Sequence, residues 1–240
     1  MGKSEPKGPA IPEEESMKQK FDTPTTVRTV LDVPAGRVRF IAADRTDTTV
    51  EVLPADAAEN RDVKTAGQTE VTYADGVLRV QVPRAKNRIL DNSGAVEVTV
   101  QLPAGSRVEA KAAAAEFRVV GRLGHVAFDG GHGSVRLDEA ESVRLTGLDA
   151  HITVGRLNGP GEISTQRGDV HITEAVRGRL TLNTRQGDIT VGVARGVSAS
   201  LDAGTGHGRI DNALKNTDGA GAGLTIEATT SQGDITARSL

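Results

Sequence analysis

The sequence predicts an all-β protein whose second half is a two-sheet β-solenoid, or β-helix-like repeat domain, preceded by antiparallel hairpin strands. A Gly-Asp-Ile/Val phrase begins at Gly168, Gly187 and Gly233, with a Gly-Arg-Ile variant at Gly208. A phrase that recurs about every 20 residues indicates stacked copies of one supersecondary unit. Between the phrases apolar and polar residues alternate, which is typical of strands with one buried face. Aromatic residues make up only 2% of the chain, so the predicted core is aliphatic.

Residues 1–20 are predicted to form a disordered tail. They include several prolines, the acidic run at 13–15 and almost no apolar side chains. Such a segment buries too little surface to offset the entropy lost on ordering. Met17 is a candidate alternative start, which would make residues 1–16 dispensable.

Residues 21–115 are predicted to be an N-terminal β-strand part of the domain. Residues 69–73 and 77–82 flank Asp75-Gly76, and an Asp-Gly between alternating runs is a strong hairpin signal. The alanine run at 111–115 favours strand or loop because its neighbours are strand-like. Turns are predicted at 34–36 and 103–105, and polar connections at 55–66 and 84–94.

Residues 116–240 are predicted to be the β-solenoid repeats. Each unit has two short strands joined by glycine turns, as in the alternation of Ile189, Val191 and Val193 with polar neighbours. An antiparallel meander would give the same alternation. However, a phrase that returns every second strand in one orientation favours parallel stacking, with coils about 4.8 Å apart. Residues 214–223 form a glycine-rich insertion that lengthens one turn.

The repeats and two turn phrases resemble a known bacterial family. Val33-Pro34-Ala35-Gly36, Leu102-Pro103-Ala104-Gly105 and the serial Gly-Asp-Ile/Val units resemble the bacterial "putative adhesin" domain of unknown function, which is common in actinobacteria. The resemblance covers roughly residues 21–240. It implies a β-solenoid fold and no established enzymatic activity, and it brings no catalytic residues with it.

Composition argues against several kinds of function. The chain has 29 basic and 32 acidic residues, which gives no electrostatic reason to expect a nucleic acid or an anionic membrane as partner. It has no cysteine, so disulfides and thiolate chemistry are excluded. No apolar segment approaches the roughly 20 residues of a membrane span, so we expect no membrane insertion. As written the chain is expected to be cytoplasmic, although the family resemblance would allow the cell surface.

One candidate site follows from stacking the repeats. Asp169, Asp188, His171 and Asp211 should face outward in neighbouring columns, where they could hold a cation between carboxylates. The alternative, which we favour, is that a Gly-Asp turn uses its carboxylate to accept nearby backbone amides. We therefore predict no catalytic, cofactor-binding or metal-binding residue beyond this candidate.

The leading hypothesis for function is a non-catalytic binding or scaffold protein that uses a solenoid surface to bind an unknown protein or glycan. The second hypothesis is a self-assembling structural β-solenoid. The third is a polysaccharide-active β-helix enzyme with paired acids, against which the scarcity of aromatic residues weighs. The final unit, 233–240, has no capping segment after it. We therefore expect a weak homodimer through this C-terminal coil, with a monomer as the alternative.

Overall fold

The computed structural model describes residues 17–83 and 94–240. Strands dominate it, which confirms the predicted all-β class. The elements are β1 Met17–Asp22, β2 Arg28–Ala43, β3 Asp47–Pro54, α1 Asn60–Gln68, β4 Glu70–Ala74, β5 Val77–Gln81, β6 Val96–Pro103, β7 Arg107–Leu157, β8 Gly161–Arg167, β9 Val170–Ala175, β10 Gly178–Gln186, β11 Ile189–Val193, β12 Ala199–His207, β13 Ile210–Ala213, a 3-10 turn at Gly219–Gly221, β14 Leu224–Gln232 and β15 Ile235–Ser239.

Each solenoid coil contributes one strand to each of two sheets. Sheet 1 contains, in spatial order, β4, β5, the first part of β2, parts of β7, then β8, β10, β14 and β12. Sheet 2 contains β1, β3, β6, the second part of β2, parts of β7, then β9, β11, β15 and β13. Both sheets bury their aliphatic faces in one continuous core.

The coils stack in parallel and in register. Leu180 of β10 lies opposite Ile226 of β14, and Ile189 of β11 lies opposite Ile235 of β15. Like residues therefore pack on like residues along the solenoid, and each is fully or nearly fully buried. This pairing confirms the predicted solenoid and excludes the antiparallel meander for the repeats.

The solenoid begins much earlier than residue 116. Residues 28–41 of β2 pair in parallel with residues 107–120 of β7, so both belong to complete coils. The predicted boundary at 115/116 falls inside β7, and the prediction of a turn at 34–36 is wrong. The chain instead bends there from sheet 1 to sheet 2 without leaving β2, at Gly36, which has a φ of 128°. These early corners lack the Gly-Asp phrase, which is why the sequence did not reveal them as repeats.

The antiparallel part of the fold lies at the N-terminal end of the stack. There β1 pairs with β3, and β3 pairs with β6. The predicted hairpin is confirmed by β4 and β5, which pair around Asp75 and Gly76, both at positive φ. This turn geometry matches the right-handed twist of the flanking strands.

Two expectations for the N-terminal half need correction. Residues 17–20 belong to β1 rather than to a tail, because Phe21 contacts the Tyr73 ring at 5.4 Å and Lys20 lies 3.2 Å from Asp47. The rest of the predicted tail, 1–16, lies outside the described residues, as does most of the connection at 84–94. The connection at 55–66 contains the start of α1, whose Thr65 and Ala66 are buried. Within the described ranges, no helix is long and apolar enough to cross a membrane.

The order of the last coils differs from their order in the chain. The final coil, β14 and β15, lies between the coil of β10 and β11 and the coil of β12 and β13. The expectation that the final unit forms the exposed end of the stack is therefore wrong. That end is formed by β12 and β13. The insertion at 214–223 explains this order, because it carries the chain back past one coil.

Ser198 anchors this insertion. It is buried, and its hydroxyl oxygen accepts hydrogen bonds from the backbone N–H groups of Thr217 and Asp218, each at 3.1 Å. The same hydroxyl lies 3.1 Å from Oδ1 of Asn216. One short side chain thus holds the first half of the loop in place.

Candidate functional site

The aspartates of the Gly-Asp phrase form a ladder along the edge of sheet 2. The backbone N–H of Asp188 donates to Oδ1 of Asp169 at 2.9 Å, and that of Asp234 donates to Oδ1 of Asp188 at 2.8 Å. The N–H of Arg209 continues the ladder by donating to Oδ1 of Asp234 at 2.8 Å. Each carboxylate therefore satisfies a corner amide of the next coil, which is the structural role that the sequence analysis favoured for a Gly-Asp turn.

The glycine before each aspartate makes this corner possible. Gly187 has a φ of 148°, and a Cβ added there would lie 2.2 Å from the carbonyl oxygen of Gly168. Gly233 stands in the same relation to Gly187, at 2.0 Å. Glycine is thus required both by the backbone conformation and by the close approach of the coil beneath.

The four residues of the candidate cation site are only partly brought together. Asp169 and Asp188 lie in adjacent coils, and His171 lies opposite Thr190. Asp211 lies opposite Thr236, which in turn lies opposite Thr190, so the final coil separates Asp211 from the others. Among the described residues, no group of three or more histidine, aspartate or glutamate side chains is placed to hold a metal ion.

Arg209 ends the ladder with an ion pair. Its guanidinium lies 2.9 Å from Oδ2 of Asp234. The backbone N–H of Arg209 and then its side chain hold the pKa of Asp234 below its ordinary value. In turn, the hydrogen bond that the Arg209 side chain donates to Asp234 raises the pKa of Arg209. The pair is exposed to solvent, so its contribution to stability is small.

A hollow, which we call the sheet 1 hollow, lies on the outer surface of sheet 1. Its volume is about 600 Å³, within the range of about 300–1,000 Å³ that is usual for ligand sites. Val30 and Ala127 provide an apolar floor. The polar rim comes from β2, β5 and three coils of β7, and consists of Asp32, Gln81, Glu109, Lys111, His125, Asp129, Arg144 and Thr146.

Two fixed polar pairs shape this hollow. Arg28 donates two hydrogen bonds to Glu109, both at 2.9 Å, and this contact lowers the pKa of the Glu109 carboxyl. Nδ1 of His125 lies 2.9 Å from Oγ of Ser142. Partial burial lowers the pKa of His125, which favours the neutral ring at neutral pH. The hollow therefore presents carboxylate, imidazole and ammonium groups from a hydrogen-bonded sheet.

The sheet 1 hollow is not predictable from the alternation of residues in the sequence. Alternation alone shows that Glu109, His125 and Arg144 face outward, but it does not show which of them are neighbours. The coils at 107–149 lack the Gly-Asp phrase that marks the later corners, so their alignment was hidden. The signal in the sequence that could have revealed these neighbours is the recurrence of outward-facing residues at a fixed coil length.

Comparison with known families identifies the fold. The sequence model of Toastrack DUF4097 matches residues 28–239. The chain belongs to the Toastrack family. This assignment confirms the resemblance to the "putative adhesin" domain of unknown function, and the Toastrack match begins at the first residue of β2, where the first solenoid coil begins. No curated protein matches this Toastrack chain.

Solved structures similar to this Toastrack chain come from several bacteria. A "putative cell adhesion protein" from Clostridium sporogenes is 15% identical, with 94% of this chain and 100% of that chain covered and a TM-score of 0.38. A "putative adhesin" from Parabacteroides distasonis is 14% identical, with coverages of 92% and 97% and a TM-score of 0.46. A "putative lipid binding protein" from the same species is 9% identical, with coverages of 93% and 97% and a TM-score of 0.36.

Proposed function

We propose that this protein is a non-catalytic binding or scaffold protein whose ligand, a glycan or an extended polar segment of another protein, binds in the sheet 1 hollow. The observation that carries the proposal is the hollow itself, about 600 Å³ with an apolar floor and a charged rim. Sites that bind polar ligands combine such a floor with a few fixed donors and acceptors. Here Lys111 and Gln81 supply donors, and Glu109 and Asp129 supply acceptors.

The rigidity of the surroundings supports this proposal. The hollow is built on paired strands rather than on loops, and the Arg28–Glu109 and His125–Ser142 contacts hold its side chains in place. A preorganised surface loses little entropy when it binds a ligand. The name of the "putative adhesin" domain suggests adhesion, which would require binding of this kind.

The test is a screen of oligosaccharides and peptides against the purified full chain. Lys111→Ala combined with Gln81→Ala should weaken any hit at least about tenfold, because hydrogen bonds with charged groups contribute about 1.5–3 kcal/mol each. Lys64→Ala combined with Gln232→Ala removes the same residue types from exposed positions outside the hollow and should have no effect. Mass spectrometry should recover the bound ligand unchanged. A hydrolysed ligand would overturn the non-catalytic part of the proposal, and equal loss in both double variants would overturn the assignment of the site.

A second candidate function, self-assembly, is favoured by the exposed end of the stack. Strands β12 and β13 form the last coil, and Ile210 in the inward-facing column is 45% exposed. Edge strands of this kind can pair with a second copy of the chain.

A further inference from the structure

We propose that three arginines on the outer surface of sheet 2 form a binding site for a phosphoryl group. Arg39, Arg118 and Arg136 line one hollow of about 230 Å³, which we call the sheet 2 hollow. They occupy successive coils of the solenoid, and we refer to them as the arginine column. This hollow belongs to the opposite sheet from the sheet 1 hollow, and the proposal does not depend on the function proposed above.

The stacking brings like charges side by side. Arg39 lies directly opposite Arg118 across the parallel pair of β2 and β7. On its other side Arg39 faces the uncharged Thr99 of β6. One coil further along, a Cβ added to Gly133 would lie 2.0 Å from the Ala115 carbonyl oxygen, which places Arg136 beside Arg118. Cross-strand neighbours have Cβ atoms about 5 Å apart, and like charges in that position are destabilising.

Nearby acids neutralise only part of this charge. Asp138 lies 2.6 Å from the Arg118 guanidinium, and its second oxygen accepts the backbone N–H of Gly121 at 3.2 Å. Arg37 at the edge of the hollow is paired with Glu97 at 2.7 Å. Within residues 17–83 and 94–240, Arg39 and Arg136 have no ion pair. One acidic residue, Glu116, lines the hollow together with the arginines.

The geometry selects a tetrahedral oxyanion. Guanidinium groups donate in planar pairs and match phosphate oxygens well. A carboxylate has two oxygens in one plane and one negative charge. A phosphoryl group has three acceptor oxygens, and as a monoester it carries about 1.5–2 negative charges at pH 7. It can therefore bridge Arg39 and Arg136 across Arg118 and relieve the repulsion along the arginine column. The net charge of −3 for the whole chain does not reveal this local concentration of positive charge.

The experiment follows backbone amides of the full-length ¹⁵N-labelled protein at constant ionic strength. Inorganic phosphate and glycerol 3-phosphate should produce saturable shifts confined to residues 37–40, 116–119 and 134–137. Arg39→Gln combined with Arg136→Gln should weaken binding about tenfold or more. Arg185→Gln combined with Arg195→Gln makes the same change of charge at exposed positions elsewhere and should change affinity less than about twofold.

Vesicles distinguish the source of the phosphoryl group. Co-sedimentation is measured with phosphatidylcholine vesicles that contain or lack phosphatidic acid, whose headgroup is a phosphate monoester. Binding that needs phosphatidic acid and the arginine column assigns the site to lipid headgroups, whereas binding of glycerol 3-phosphate or inorganic phosphate without binding to these vesicles assigns it to soluble phosphates. If none of the probes binds saturably, or if the two double variants behave alike, the proposal is overturned.

A stability measurement separates a binding role from a structural one. Without phosphate and at low salt, Arg39→Gln combined with Arg136→Gln should unfold at the same temperature as the unaltered protein or a higher one, because the repulsion is removed. A lower unfolding temperature would show that these arginines support the fold, and would count against a site maintained for an anion.

Discussion

At the scale of single residues, alternation along β11 determines which side chains tolerate change. Ile189 is completely buried between Val170 and Ile235, whereas Thr190 faces outward between His171 and Thr236. We expect Ile189→Asp to cost more than about 4 kcal/mol, because it places an unpaired charge in the core. Thr190→Asp should stay within about 1 kcal/mol. Urea unfolding followed by circular dichroism compares the two, and equal losses would contradict this register.

The corner glycines give a second prediction at this scale. In Gly187→Ala the new Cβ would meet the Gly168 carbonyl in a conformation that alanine rarely adopts, so the loss should be about 3 kcal/mol or more. Gly204→Ala in β12 is the control, because an added Cβ meets nothing within 4 Å there. The unfolding temperature should fall by about 6 °C or more for Gly187→Ala, since 1 kcal/mol corresponds to about 2–4 °C in a chain of this size. A similar temperature for both variants would argue against close coil contact at the corner.

At the scale of elements, Ser198 holds the loop that lets the final coil enter the stack. Ser198→Ala should cost about 1–3 kcal/mol, because the N–H groups of Thr217 and Asp218 lose their acceptor. Ser200→Ala, on the outward face of β12, should be nearly neutral. Hydrogen exchange should accelerate at amides 217 and 218 in the first variant. If exchange there is unchanged, another group holds the loop.

The ion pair that attaches β1 to β3 gives a prediction about how stability depends on pH. Hydrogen bonds from Arg45 and then from Lys20 lower the pKa of Asp47 from its ordinary 3.8 to about 2. A lowered pKa in the folded state stabilises the fold above the unfolded value, and this contribution disappears as the pH falls from 3.8 towards 2. Asp47→Asn should therefore lose less stability over that interval than the unaltered protein does. Thermal unfolding across the pH series tests this, with the exposed Asp202→Asn as control, and an identical acid dependence in Asp47→Asn would contradict it.

The predictability of these elements follows from what marks them in the sequence. The hairpin of β4 and β5 was predictable because Asp75-Gly76 supplies two residues suited to positive φ. The helix α1 was not, because its nine residues contain few apolar side chains, the largest of which, Val63, is exposed. The Gly-Asp corners were predictable from the sequence because only glycine fits against the coil beneath. For the same reason, substitution of these glycines is expected to destabilise the fold.

At the scale of the whole molecule, the order of coils could not be inferred from the repeats. Every unit has the same inward pattern, so either β12 or β14 could follow β10 in the stack with equally favourable packing. The wide spacing between Gly208 and Gly233 was the sign in the sequence that the order of the coils changes there. The sheet 1 hollow and the arginine column also depend on which coils are neighbours. Sequence reasoning therefore predicted the fold class and the local faces, but neither surface site.

The exposed end of the stack carries the last prediction. Leu201 and Ala203 of β12 and Ile210 of β13 occupy inward columns, yet among the described residues no further coil covers them. In the rest of the solenoid, such side chains are buried by the next coil, as Ile189 is by Ile235. Unpaired backbone groups along β12 and β13 add to this incomplete surface.

We therefore expect a weak homodimer in which the terminal coils of two copies meet end to end, with their edge strands antiparallel. Ile210→Lys should abolish it, because a twofold contact would place two like charges close together in an apolar interface. Leu148→Lys is the matched control, since Leu148 is 50% exposed on a different coil away from this end. Sedimentation equilibrium over a wide concentration range should show a rising average mass for the unaltered protein and Leu148→Lys, and a constant monomer mass for Ile210→Lys. A monomer mass that stays constant for all three proteins would contradict the dimer. A mass that rises equally in all three would place the contact elsewhere than the coil of β12 and β13.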